Sequence, residues 1–124
     1  MKDILRSKAL HAAAGFILMG SWAAYANSAH PMPAPIVAGI VQGTLTAGIT
    51  LLLKRVVELV CTYVSGSARL LLSPLATGLV SIAILTSVHT IAGTAEIAAT
   101  VSVPVMVSIS YAAIYAKALG RNSV

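Results

Sequence analysis

Side chains able to do chemistry are sparse in this chain, and their positions are informative. Three histidines, three carboxylates and one cysteine are spread over 124 residues: His11, His30, His89, Asp3, Glu58, Glu96 and Cys61. His30, His89 and Glu96, with Asn27 close by in sequence to the first, fall at the ends of long apolar stretches. Two imidazoles and a carboxylate are ligands a divalent cation accepts, and a His–Glu pair can pass a proton. Their spacing matches no local metal motif, so only the fold could assemble such a site. Ionisable groups at helix ends also reach water, and Asn27, His30, His89 and Glu96 then read as ordinary interfacial residues. His11 takes the same reading at the other interface.

HExxH, GxSxG, a phosphate loop and a cysteine pair are all absent. The sequence therefore predicts no catalytic residue, no metal site, no cofactor and no enzyme. Cys61 excludes an intrachain disulfide and reads as a small apolar packing residue, with juxtamembrane acylation as the alternative. Glu58 is spaced to meet Lys54 and Arg55 on one helical surface, a solvated charge group.

Composition supplies the solvent. Hydrophobic residues make up 58% of the chain and charged ones 9%, where a soluble domain carries about 25% charged residues. The mean hydropathy is +0.93. A domain this small leaves roughly a third of its chain surface exposed, too much apolar surface for water. The net charge of +5 does not point to nucleic acid, because the basic residues neither cluster in one sequence patch nor alternate with aromatics.

About 20 apolar residues cross roughly 30 Å of hydrocarbon as a helix, and four stretches qualify: 9–26, 36–53, 74–92 and 97–116. Pro31, Pro33 and Pro35 forbid a helix through the first connection, since proline lacks the backbone donor. Residues 93–96 are short enough to fold spans three and four back on each other. Between spans two and three, the link 54–73 carries both signs of charge; its first half continues helix 2 toward Ser65, Gly66 and Ser67, and Ser73–Pro74 has the form of a helix start. Pro104 falls inside span four and should bend it.

Orientation follows from the basic residues. Lys2, Arg6 and Lys8 precede span one; Lys54, Arg55 and Arg69 lie between spans two and three; Lys117 and Arg121 follow span four. All fall on one side, which the positive-inside rule makes cytoplasmic. The fold class expected is an all-α integral membrane protein of the plasma (inner) membrane, a single domain of four transmembrane helices in two antiparallel hairpins with both termini inside. Residues 1–26 also carry the parts of a signal peptide, with Ala24-Tyr25-Ala26 as a cleavage site. Trp22 and Tyr25 favour a retained helix with an aromatic anchor at the outer interface.

Helix 2 is the most organised. At 100° per residue Gly39, Gln42, Gly43, Thr46 and Thr50 share one stripe and Val41, Leu45, Ile49 and Leu52 the opposite face. A GxxxG step admits a close backbone, with polar neighbours bonding across the contact, within this bundle or between copies. The same residues could line a pore. No charged residue lies mid-span, so ion-coupled transport lacks its usual group. The functions open to such a chain are an accessory, assembly or scaffold subunit working through helix packing; an oligomeric channel, transporter or holin-like permeability protein; and, less fitting, a membrane enzyme using the outer histidines and Glu96. Expected partners are the lipid bilayer and either another membrane protein or further copies of the chain.

Reporter fusions test the topology: one after Pro33 should report the outside and one after Gly66 the cytoplasm, and the same side for both would overturn it.

Overall fold

A computed structural model describes the backbone of residues 1–122 and the side chains of all but 4, 5, 121 and 122; Arg121, counted above among the basic residues, thus has its side chain outside the described set. The chain forms four helices in the order α1 (Lys2–Ala26), α2 (Ala34–Tyr63), α3 (Ala68–Ala92) and α4 (Ile97–Asn122). All four contain segments long and apolar enough to cross a membrane, and no strand occurs among the described residues. The chain is a multi-pass membrane protein by these criteria.

Local chemistry explains the breaks. Proline occupies the first turn of α2, where its missing N–H is an orphan in any case. α3 ends at Gly93, whose φ of 75° is the left-handed cap that glycine adopts without strain. The Thr94 N–H then bonds back to the His89 carbonyl at 3.0 Å. The helix start expected at Ser73–Pro74 is not where α3 begins: the helix opens at Ala68 and holds Pro74 inside it. A proline six residues into a helix removes only one backbone bond, and Leu70, Leu71 and Leu72 are good helix formers, so the extra turns survive. Ser73 is fully buried and faces Cys61, 3.7 Å from its sulfur, instead of capping.

α1 packs on α2 and α4 but not on α3, while α2 and α4 both meet α3. The α1–α2 contact is a backbone contact. A β-carbon on Gly39 would stand 2.9 Å from the Gly20 carbonyl oxygen, and one on Gly20 would meet the Gly39 carbonyl oxygen at the same distance. One on Gly43 would meet the Phe16 ring at 2.9 Å. Between α3 and α4, Gly78 leaves room for Ile109. α3 buries Ser73, Thr77, Gly78, Ser81, Leu85 and His89, all but Gly78 on the i, i+4 stripe of a helix held between two neighbours.

The apolar core is small: Leu85 with Val101 and Val105, and separately Val57 with Ala112 and Ala116. Large apolar side chains such as Ile17, Leu51, Leu71, Leu79 and Ile114 are exposed instead, as hydrocarbon permits. α1 is the least embedded, with 11% of its span buried against 28% for each of the others. The end carrying Lys54, Arg55, Arg69 and Lys117 is called the basic end here, and the end with turns 27–33 and 93–96 the far end. At the basic end Tyr115 donates to the Glu58 carboxylate at 3.0 Å, Arg55 stands 4.0 Å from it, and the Arg69 guanidinium fills the space that a side chain on Gly120 would need.

Gly39→Leu should lower the thermal midpoint in detergent, by the equivalent of about 1–3 kcal/mol, because rigid carbonyls cannot yield to the new atoms. Gly48→Leu is the control, since nothing lies within 4 Å of a β-carbon there; equal midpoints for the two variants would refute the close α1–α2 contact.

Candidate functional site

Two hydrogen-bond networks and one cavity hold the buried amides and the buried imidazole of the bundle; the buried hydroxyls of Ser73, Thr77 and Ser81 on α3 lie outside them. The first network is built on Asn27, fully buried at the end of α1. Its amide nitrogen donates to the Ala23 carbonyl and to the Thr100 hydroxyl, both at 2.8 Å, and its amide oxygen accepts the Glu96 N–H at 3.0 Å. One side chain thus caps the end of its own helix and the start of α4, two places where backbone groups lack helical partners. Thr100 passes its own proton to the Glu96 carbonyl. Glu96 sits just ahead of α4, where a carboxylate suits the positive end of the helix dipole, and lies 3.0 Å from His30 Nε2. Trp22 adds a further tie, its indole N–H donating to the Ala99 carbonyl at 3.0 Å.

The second network runs inward from the far end. Thr94 and His89 Nδ1 are 2.7 Å apart, His89 Nε2 and Gln42 Oε1 2.9 Å, and Gln42 Nε2 donates to the Thr46 hydroxyl at 3.0 Å. The Gln42 amide carries its oxygen toward His89, so His89 holds its proton on Nε2 and accepts the Thr94 hydroxyl at Nδ1. His89 and Gln42 are both fully buried, and in hydrocarbon each needs the other. An amide does not relay protons as an imidazole does, so this chain ties α2 to α3 and to the 93–96 turn without forming a proton wire.

Below Gln42, toward the basic end, α1, α2 and α4 part to leave a cavity of about 260 Å³. Gly15, Leu18 and Met19 wall it from α1, Thr46, Ile49 and Thr50 from α2, and Pro104, Ser108 and Tyr111 from α4, with Gln42 at one extremity and His11 and Leu53 at the other. Two of the hydroxyls have local partners: Thr50 donates to the Thr46 carbonyl and Ser108 to the Pro104 carbonyl.

Of the outer residues singled out in the sequence, Asn27, His30 and Glu96 meet in one network and His89 belongs to the other. Among the described residues no group of three metal-ligating side chains comes together. Of the α2 stripe, Gly39 and Gly43 face α1, while Gln42, Thr46 and Thr50 line the cavity. Tyr111 and Tyr115, four apart on α4, read from the sequence as a packing or interfacial face with Ser108, and an aromatic ligand site as the lesser alternative; Tyr111 and Ser108 line the cavity. Gly20, Thr94 and Thr100 were not singled out: Gly20 had a local signal, a small residue in an apolar span, and the other two acquire their partners only through the fold.

Asn27→Ala should destabilise the protein by about 1–3 kcal/mol, the cost of leaving buried polar groups unpaired. His30→Ala should cost no more than about 1 kcal/mol, because that pair is 35% and 51% exposed. Chemical denaturation in detergent ranks the two, and an equal or reversed order would contradict the capping role. No protein-family model, curated protein or solved structure matches this chain, so the site is read from its own geometry.

Proposed function

We propose that the protein is a plasma-membrane (inner-membrane) protein of two antiparallel hairpins, both termini cytoplasmic, that acts as a carrier-type permeability protein with its solute site inside a single chain. The cavity between α1, α2 and α4 is the observation that carries this reading. Its 260 Å³ exceeds the roughly 150 Å³ that suffices for a benzene-sized ligand. Half of the α2 stripe, read from the sequence as a contact within this bundle or between copies, is covered by α1, through Gly20, Gly39 and Gly43. The other half, Gln42, Thr46 and Thr50, faces the cavity. A site within the protomer uses both halves.

An accessory or assembly subunit is the second reading. It is supported by Leu71, Leu75 and Leu79, exposed and spaced by four on α3, a ridge on which a partner helix could pack.

Proteoliposomes test the carrier. Protons, small neutral solutes and bilayer-soluble amphiphiles should be compared with protein-free vesicles, and at least one class should move faster, with Gly15→Leu returning its rate to the vesicle background. Folded, inserted protein that accelerates none of the three would refute carriage and leave the subunit reading.

A further inference from the structure

We infer that the cavity holds the hydrocarbon chain of an anionic single-chain lipid, which enters sideways from the bilayer between α1 and α4 and keeps its headgroup at the basic end. This rests on the cavity invoked for the carrier and names the class of molecule it takes.

Shape is the first argument. The α1 wall extends from His11 to Met19, about 12 Å at 1.5 Å per residue. With a volume of 260 Å³, the cavity runs along the helices for about two turns, the elongated form that suits an alkyl chain.

The lining is the second. Among the described residues no Asp, Glu, Lys or Arg borders the cavity. Thr50 and Ser108 spend their protons on carbonyls of their own helices, and Gln42 is bonded to His89 and Thr46. A polar solute would lose its water and gain few donors in return; an alkyl chain loses nothing.

Access is the third. Leu18 and Val107 border the cavity yet are 64% and 50% exposed, so its rim opens on the surface that meets hydrocarbon. The Trp22–Ala99 bond closes the α1–α4 seam toward the far end. The opening therefore lies on the basic-end side of that bond, near the middle of both helices.

Charge places the headgroup. Arg6 and Lys8 precede His11 by less than two turns, and Lys54 and Arg55 follow Leu53 directly. Asp3 and Glu58 lie in the same region, and Glu58 already takes Tyr115 and Arg55 as partners. Four cations against two carboxylates leave a positive surplus at this mouth, which attracts anionic headgroups.

Photolabelling of the full chain in phosphatidylcholine nanodiscs tests this, with palmitic acid carrying a diazirine midway along its chain as probe. Label should concentrate in residues 11–19, 42–53 and 104–111, and excess palmitate should compete it away while excess hexadecanol should not. Gly15→Leu and Thr50→Phe should each lower cavity labelling about tenfold, the effect of a 1.4 kcal/mol loss. Leu79→Phe, on an exposed face outside the cavity, should not. Two space-filling variants guard against misfolding of either, with gel filtration reporting the fold. Equal label on the α3 surface, equal competition by hexadecanol, or indifference to both filling variants would overturn the inference. Cavity labelling without flux would sustain it and remove the carrier; flux of another solute without cavity labelling would do the reverse.

Discussion

Hydrocarbon around the bundle cannot solvate an amide or an imidazole, and the buried Asn27, Gln42 and His89 are placed by that one constraint. Asn27 meets it most economically, with two donors and one acceptor engaged at the ends of two helices. Gln42 and His89 meet it as a mutual pair, extended by Thr94 and Thr46. Association of helices in lipid gains little from apolar burial, since lipid tails are as apolar as leucine. Such bonds, with close backbone contacts, must therefore decide which helices are neighbours. The small apolar core is what this balance predicts.

Tight and loose regions of the same molecule follow. Toward the far end Gly20 and Gly39 bring two backbones together, and the Asn27 and His89 networks tie all four helices, α1 to α4 and α2 to α3, within a few turns. Toward the basic end α1 meets no comparable set of small residues on α2: Gly15 faces a Thr46 methyl and Gly48 faces nothing. Pro104, buried and without a backbone donor, stands in the cavity wall where the packing changes. The cavity is thus the consequence of small residues being concentrated at one end.

Much of this architecture was legible in the sequence, for a physical reason. A membrane helix must be apolar over a fixed length, and that length can be counted, so the number of helices and the breaks at the prolines and at Gly93 could be read directly. The stripe on α2 was legible because a helix repeats every 3.6 residues. Partners were not. Gln42 and His89 are 47 residues apart, and periodicity gives the face of a helix without saying which helix it meets. The four outer polar residues looked alike in sequence, yet His89 stands one turn deeper and joins a different network. Ser73–Pro74 shows the converse error, where a sound local rule for helix starts was overruled by favourable leucines ahead of it. A cavity depends on helix separations of a few ångströms and leaves no trace in composition.

Arg69 does more than add charge to the basic end. Its guanidinium occupies the place of the missing side chain at Gly120, close to the end of α4, where a cation also suits the negative pole of that helix. The guanidinium is wedged between the first turn of α3 and the last turns of α4, and a side chain at position 120 would have to displace it. The seating of that cation at the basic end thus depends on a side chain that is missing, and a change at a glycine would move a charge without altering the number of charges.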